Sequence, residues 1–402
     1  MTIDWPSGAR YTYAISGSND LSSYQTISTG TGSGRTTNAL SGAYRYVMVT
    51  VTGSSTRSAP EILEGRVFGT PVPSPTPTPT PTPTPAPAPS GDPVAAIKAA
   101  KAGDTVVVSA GTFTAAGGID VPDGVTIIGQ GKDASWIKGQ IRYGSNTVVK
   151  NLKMGDVGRS AAKNRNGARN TTFEDCRFRG GGGSAWNYVL LLGEGASCSF
   201  ITFRNCEVEC NLGSENASLS NGFNNVTIWV GGSTSVSDIL FEGCHIGVSN
   251  GVRSGAPRMG VECYTDDGAQ YGWQRITFRN CVVEVCDAHG MDFSDEQNVR
   301  SQGLVVEGCH LKGAGLRPNA PWASTIDLEY PLRATIRNNT FGLGQERCVQ
   351  MTTRGDAYTP AYAVFQGNRI DLTPNGVTKA NYWTAVDVTS CSPWGSSNTT
   401  VN

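Results

Sequence analysis

Phe203-Arg204-Asn205-Cys206-Glu207-Val208 decides the reading of this chain, because the same short phrase keeps returning. It occurs as Phe173-Glu174-Asp175-Cys176-Arg177-Phe178, Phe241-Glu242-Gly243-Cys244-His245-Ile246, Phe278-Arg279-Asn280-Cys281-Val282-Val283 and Val306-Glu307-Gly308-Cys309-His310-Leu311. Two further copies replace Cys by Asn, at Ile336-Arg337-Asn338-Asn339-Thr340-Phe341 and Phe365-Gln366-Gly367-Asn368-Arg369-Ile370. Intervals of roughly 28 to 38 residues suit one coil of a solenoid per copy. Stacked copies would place Cys176, Cys206, Cys244, Cys281 and Cys309 in one inward ladder, continued by Asn339 and Asn368 hydrogen-bonding to adjacent coils. Five of the eleven cysteines then read as small core residues, not metal ligands. Cys198 and Cys210, which flank Cys206, are the candidates for a disulfide.

The ladder sets the register of a second pattern. Val261-Glu262-Cys263-Tyr264, Met291-Asp292-Phe293-Ser294 and Ile326-Asp327-Leu328-Glu329 each alternate apolar and polar residues. Side chains on a strand alternate faces, so Glu262, Asp292 and Asp327 would share the outer face while Val261, Cys263, Met291, Phe293, Ile326 and Leu328 turn inward. Aligned on the ladder, one outer column reads Thr227, Glu262, Asp292, Asp327, Gln350 and Asp387. The next reads Trp229, Tyr264, Ser294, Glu329, Thr352 and Thr389. Strands about 4.8 Å apart would crowd three carboxylates, a costly arrangement unless a cation, a shared proton or a function uses it.

Composition agrees with such a fold. Fifty glycines among 402 residues, with many Asn, Ser and Thr, point to short strands joined by tight turns, and so to an almost all-β protein. The net charge of −1 and the lack of a basic run argue against nucleic acid as partner. No apolar run reaches the roughly 18 residues of a membrane span. No signal peptide precedes the strand-like start, and the expectation is a chain that begins inside a longer product.

Three segments are expected: a β-sandwich unit over residues 1–70, a linker over 71–91 and the solenoid over 92–402. The linker alternates Thr-Pro and Ala-Pro, which forbids helix and sheet ladders and holds an extended polyproline conformation. It is similar to spacers that join binding and catalytic modules in secreted bacterial enzymes, which implies an extracellular setting. The stretches Tyr13 to Asp20, Tyr44 to Val47 and Glu61 to Gly69 resemble the C-terminal half of a discoidin (coagulation factor 5/8 type C) module. That resemblance covers about 65 residues and implies a partial sugar-binding sandwich; the plainer reading is an independent small β unit.

The solenoid opens with a short amphipathic helix, Val94 to Lys101, stopped before Gly103. After it come AGDTVVVSAGTF (102–113), GIDVPDGVTIIGQG (118–131) and SWIKG (135–139), strands cut by glycine turns. This order resembles the start of the pectate-lyase-like right-handed parallel β-helices. The resemblance implies that the helix caps the open end of the stack and that a long groove takes a polysaccharide.

Glycoside hydrolysis needs one carboxylic acid and one carboxylate, so Glu262, Asp292, Asp327, Glu329 and Asp295 are the catalytic candidates. Trp229, Tyr264, His289, Arg258, Tyr330 and Arg354 are the substrate-binding candidates, since sugars stack on aromatic faces and bond to charged groups. By analogy with the polygalacturonase-like branch the expected stereochemistry is inversion, although Ala288-His289-Gly290 and Asp266-Asp267 match that branch's motifs only faintly. In the competing reading, a lyase, Glu262, Asp292, Asp295 and Asp327 would hold Ca²⁺, with Arg258, Arg300, Arg354 or Lys312 as base. None of the pectate-lyase active-site motifs is present, so that resemblance implies the fold and not the reaction. No cofactor is otherwise expected. The third reading is a non-catalytic glycan-binding adhesin or phage tail spike; a monomer is expected for an enzyme and a homotrimer for a tail spike. The column as plain solvated surface, and Arg159, Lys163, Arg165 and Arg169 as a solvated loop, complete the alternatives.

Overall fold

A computed structural model describes residues 1–5, 8–18, 24–42, 44, 46–55, 64–66, 91–155, 160–180, 187–210, 223–247, 259–266, 268–284, 289–295, 301–311, 324–329, 334–342, 347–352, 363–371, 386–388 and 399–401. The chain divides into two units, Met1–Pro85 and Ala86–Asn402. In the first, Thr2–Asp4 pairs antiparallel with Arg35–Thr37 and Glu64–Arg66, and Tyr11–Ser18 pairs antiparallel with Gln25–Gly32 and Tyr46–Ser54. Ile3, Trp5, Ala9, Tyr11, Tyr13 and Ile15 form their shared core, with the Trp5 and Tyr11 rings stacked at 5.1 Å. The Pro-rich linker lies outside the described residues.

The second unit is a right-handed parallel β-helix. Each coil contributes one strand to each of three parallel sheets of 10, 11 and 10 strands, and the chain visits them in rotation. Its helix, Pro93–Ala99, starts with Asp92 accepting from the Val94 amide at 3.0 Å and with Pro93 at a position needing no amide donor. Val94 and Ile97 go into the core beside Val106, which covers the first coil as the sequence suggests.

The repeated phrase is the corner between the first and second sheets. Its Phe points inward, so Phe173, Phe203, Phe241 and Phe278 stack face to face at 5.1, 4.7 and 4.8 Å. The third residue turns the chain in the left-handed region: Asp175, Asn205, Gly243, Asn280, Gly308, Asn338 and Gly367 all have φ between 51° and 63°. Only Gly, Asn and Asp adopt that conformation readily, which explains the Asp/Asn/Gly choice at this position. The ladder residue follows. Cys206, Cys244, Cys281 and Cys309 donate to the carbonyls of Phe173, Phe203, Phe241 and Phe278 at 3.3–3.6 Å. Asn339 and Asn368 do the same to Val306 and Ile336, at 2.9 and 2.7 Å.

The outer face of the first sheet carries a feature the sequence reading did not find. Lys150, Glu174, Arg204, Glu242, Arg279, Glu307 and Arg337 stand in successive register, alternating in sign. Ion pairs run along it from 2.7 Å (Lys150–Glu174) to 3.7 Å (Arg279–Glu307). Each exposed pair adds little, but a strand displaced by one coil would set like charges side by side.

One expectation is corrected here. Cys198 is a free, buried thiol within Cys198–Arg204, so it forms no disulfide with Cys210. Burial pushes that thiol up to about 12, and pushes Cys206 upward as well, which keeps both protonated and inert.

Candidate active site

The third sheet carries the acids. Phe223–Val230, Met259–Thr265, Met291–Ser294, Ser324–Glu329 and Arg347–Thr352 lie side by side, pairing Thr227 with Glu262, Glu262 with Asp292, Asp292 with Asp327 and Asp327 with Gln350. Gln350 in turn pairs with Asp387. The first expected column therefore exists in full as backbone register. In the second, Trp229 pairs with Tyr264, and Ser294 with Glu329 and then Thr352. Beneath them Val261, Cys263, Met291, Phe293, Ile326 and Leu328 are all at 0% exposure, so the inward set is as expected.

The three acids differ in surroundings. Glu262 and Asp292 are half-buried, and Asp327 is only 3% exposed. Asn224, a residue missed in the sequence, donates its Nδ2 to Glu262 Oε2 at 2.5 Å and to Thr227 Oγ1 at 3.3 Å. His289 sets its Nε2 3.5 Å from Asp327 Oδ2. The column thus grades from an amide-supported, accessible carboxylate to an enclosed one facing an imidazole.

The aromatics also have fixed places. Trp229 and Tyr264 stack at 5.6 Å with 24° between their planes. The indole Nε1 donates to Asp266 Oδ2 at 3.2 Å, so the turn carboxylate orients the ring. Burial, then Tyr188 and Glu262, push the Tyr264 phenol far above its ordinary value. Tyr264 remains a neutral donor beside the acids and is no base near neutrality. Burial likewise raises the Cys263 thiol, with Asp292 and Glu262 adding to it from the other face.

Asp295 belongs elsewhere. It is fully buried, accepting from Thr265 Oγ1 at 3.3 Å and from the Ser301 amide at 2.8 Å, and so ties two segments together. The calcium set of Glu262, Asp292, Asp295 and Asp327 is accordingly not assembled: no group of three or more His, Cys, Asp or Glu side chains suited to a metal occurs among the described residues. Arg258, Tyr330, Arg354, Arg300, Lys312, Arg159 and Thr389 lie outside the described residues, and of Glu329 only the backbone is described. Lys163 and Arg165 pair with Glu194 and Asp123 at partly exposed positions, and Arg169 is exposed.

The third sheet of this three-sheet parallel solenoid thus carries an acidic and aromatic strip along one face. Residues 94–314 match the family described as Rhamnogalacturonase A/epimerase, pectate lyase-like, and the chain belongs to that family. No curated protein matches the chain in sequence. Among solved structures it is similar to the A-module of the mannuronan C-5 epimerase AlgE6 of Azotobacter vinelandii. That likeness is 14% identical, covers 69% of this chain and 79% of that one, and has a TM-score of 0.42. The surface protein and adhesin PfbA of Streptococcus pneumoniae is similar at 7% identity, over 74% of this chain and 89% of that one, with a TM-score of 0.40. The catalytic unit of a GH87 alpha-1,3-glucanase from Streptomyces thermodiastaticus is similar at 12% identity, over 100% and 85%, with a TM-score of 0.36.

Proposed function

We propose that the chain is an extracellular polysaccharide hydrolase whose reacting groups are Glu262 and Asp292. The observation that carries the reading is their register: two half-buried carboxylates on adjacent strands of the third sheet, next to a stacked Trp229–Tyr264 pair. Asn224 supports the ionised form of Glu262, which then activates water or attacks the sugar. Asp292 stands in register between Glu262 and Asp327 and takes the role of the acid that delivers a proton to the glycosidic oxygen. Asp327, closed off with His289, acts as a positioning residue. A polysaccharide laid along the column meets one coil about every 4.8 Å, close to the length of one pyranose unit.

The test is incubation with a panel of plant and bacterial polysaccharides. New reducing ends without the ultraviolet absorbance of unsaturated uronates are expected. Unsaturated products would instead establish a lyase. Enclosure of Asp327 favours a second reading, glycan binding without cleavage, and retention of glycan with no new reducing ends across the panel would establish it.

A further inference from the structure

The second outer column of the third sheet changes character beside Asp292. It reads Trp229, Tyr264, Ser294, Glu329 and Thr352, so two stacked rings are followed by one of the smallest side chains. Tyr264 is held on one face by Trp229 and at its hydroxyl by a hydrogen bond with Tyr188. Ser294 follows Phe293, which pairs with Cys263, and so stands level with Tyr264 on the side away from Trp229. Two residues along the strand from Asp292, the column drops from the height of a ring to that of a single hydroxyl.

That hydroxyl has no use within the protein. Ser294 is 5% exposed, and its Oγ is buried with no hydrogen-bond partner. The strand around it is firmly fixed. Phe293 is at 0% exposure and packs against Trp273 at 6.1 Å, and the Trp273 Nε1 donates to the Ser294 carbonyl at 3.2 Å. Alternation with the inward Phe293 turns the hydroxyl to the outer face, which Asp292 and Tyr264 share. A buried hydroxyl without a partner costs stability, and alanine at this place would avoid that cost. A hydroxyl on a ligand supplies the missing partner.

We propose that Ser294 is a specificity-determining residue: beside the face of Tyr264 turned from Trp229, it receives the exocyclic hydroxymethyl group of the sugar held at Asp292, so that the substrate is a polymer of neutral hexoses. The inference rests on the third-sheet reading of the active site. A hydroxymethyl group matches the place in both its parts. Its C–H bonds pack on the aromatic face, and its hydroxyl, a donor and an acceptor like that of Ser294, takes either role in the hydrogen bond. A pentose lacks the whole group and leaves the Ser294 hydroxyl as unmatched as before.

The probes are matched glucose and xylose oligosaccharides in β-1,4 and β-1,3 linkage, each pair differing only in the hydroxymethyl group, titrated calorimetrically into the full chain. The Asp292→Asn variant is titrated as well, so that affinity is read without cleavage. The glucose member of a pair is expected to bind about ten-fold or more tightly than the xylose member. Ser294→Ala is expected to remove most of that preference while melting no lower than wild type, and Ser294→Val, whose methyl groups fill the space, to reverse it. A preference for glucose that S294A removes, without new reducing ends from any member, would sink the hydrolytic reading and keep the role of Ser294. Equal affinity within every pair, no binding of any member, an undiminished preference in S294A, or a lower melting temperature for S294A would overturn the proposal.

Discussion

His289 Nε2 lies 3.5 Å from Asp327 Oδ2, and neither side chain is more than 7% exposed. A carboxylate enclosed in this way is stabilised by its imidazole partner, and removal of one member leaves the other buried without it. His289→Leu is expected to lower stability by about 3 kcal/mol. Asp327→Asn alone should also destabilise, and the double variant should lose less than the sum of the two. Denaturant titrations arranged as a double-mutant cycle measure this; strict additivity would show that the two residues do not interact.

The two accessible acids should behave differently from the enclosed one. Asp292→Asn and Glu262→Gln are each expected to reduce kcat about 10² to 10⁴-fold with smaller effects on KM. Asp327→Asn should give a milder loss of rate. Product stereochemistry, followed by proton NMR, assigns the pair. Adjacent-coil carboxylates such as Glu262 and Asp292 sit near the roughly 5 Å separation of retaining enzymes, whereas inversion would bring in Asp327, two coils away.

Much of this arrangement was legible because one residue type anchored the frame. A Cys or Asn after a left-handed corner fixes the phase of every coil, and a period of two then assigns the outward acids without ambiguity. Exposure was not legible. The enclosure of Asp327, the reach of Asn224 to Glu262 and the diversion of Asp295 to Ser301 all depend on packing between coils, which strand alternation does not encode. The ion-pair ladder from Lys150 to Arg337 was hidden for a related reason. From Glu174 to Arg337 its members are the second residue of the repeated phrase, yet each partner is a whole coil away.

Gly308 has φ +63°, and a Cβ added there would fall well inside contact distance of Asn280 Oδ1. Gly308→Ala therefore combines left-handed strain with a clash, and is expected to cost about 2 kcal/mol. Adding Asn280→Gly should recover the clash component but not the backbone one. Melting temperatures of the two single variants and the double variant separate the two contributions.

Acid should loosen the second sheet through Glu207. Burial pushes its carboxyl up, but hydrogen bonds from Lys132 and Arg177 outweigh this and leave it below its ordinary value of 4.5. A group depressed in the folded state contributes stability above its unfolded value and loses it as pH falls through the folded one. The loss therefore falls below about pH 4.5, and Glu207→Gln should be less stable than wild type at pH 7 while showing a shallower decline below that point. Parallel melting curves for the two proteins would reveal no difference in slope if the pairing were without effect.

The ladder itself can be tested for interchangeability. Cys309 Sγ donates to the Phe278 carbonyl at 3.5 Å, and Asn339 Nδ2 donates to the Val306 carbonyl at 2.9 Å, so the two residue types serve the same acceptor on the preceding coil. Asn339 does more: its Oδ1 accepts from the Cys309 amide at 2.8 Å, and its Nδ2 reaches Asn368 Oδ1 at 3.0 Å. Cys281→Asn should accordingly be tolerated within about 1.5 kcal/mol, because its amide would meet the Phe241 carbonyl that Cys281 meets now. Asn339→Leu should cost more, about 2 to 3 kcal/mol, because it strands the Cys309 amide and the Val306 carbonyl in the core. Unfolding free energies of the two variants decide the matter, and a Leu at position 339 as stable as Asn would mean that shape alone, without hydrogen bonding, holds the coils in phase.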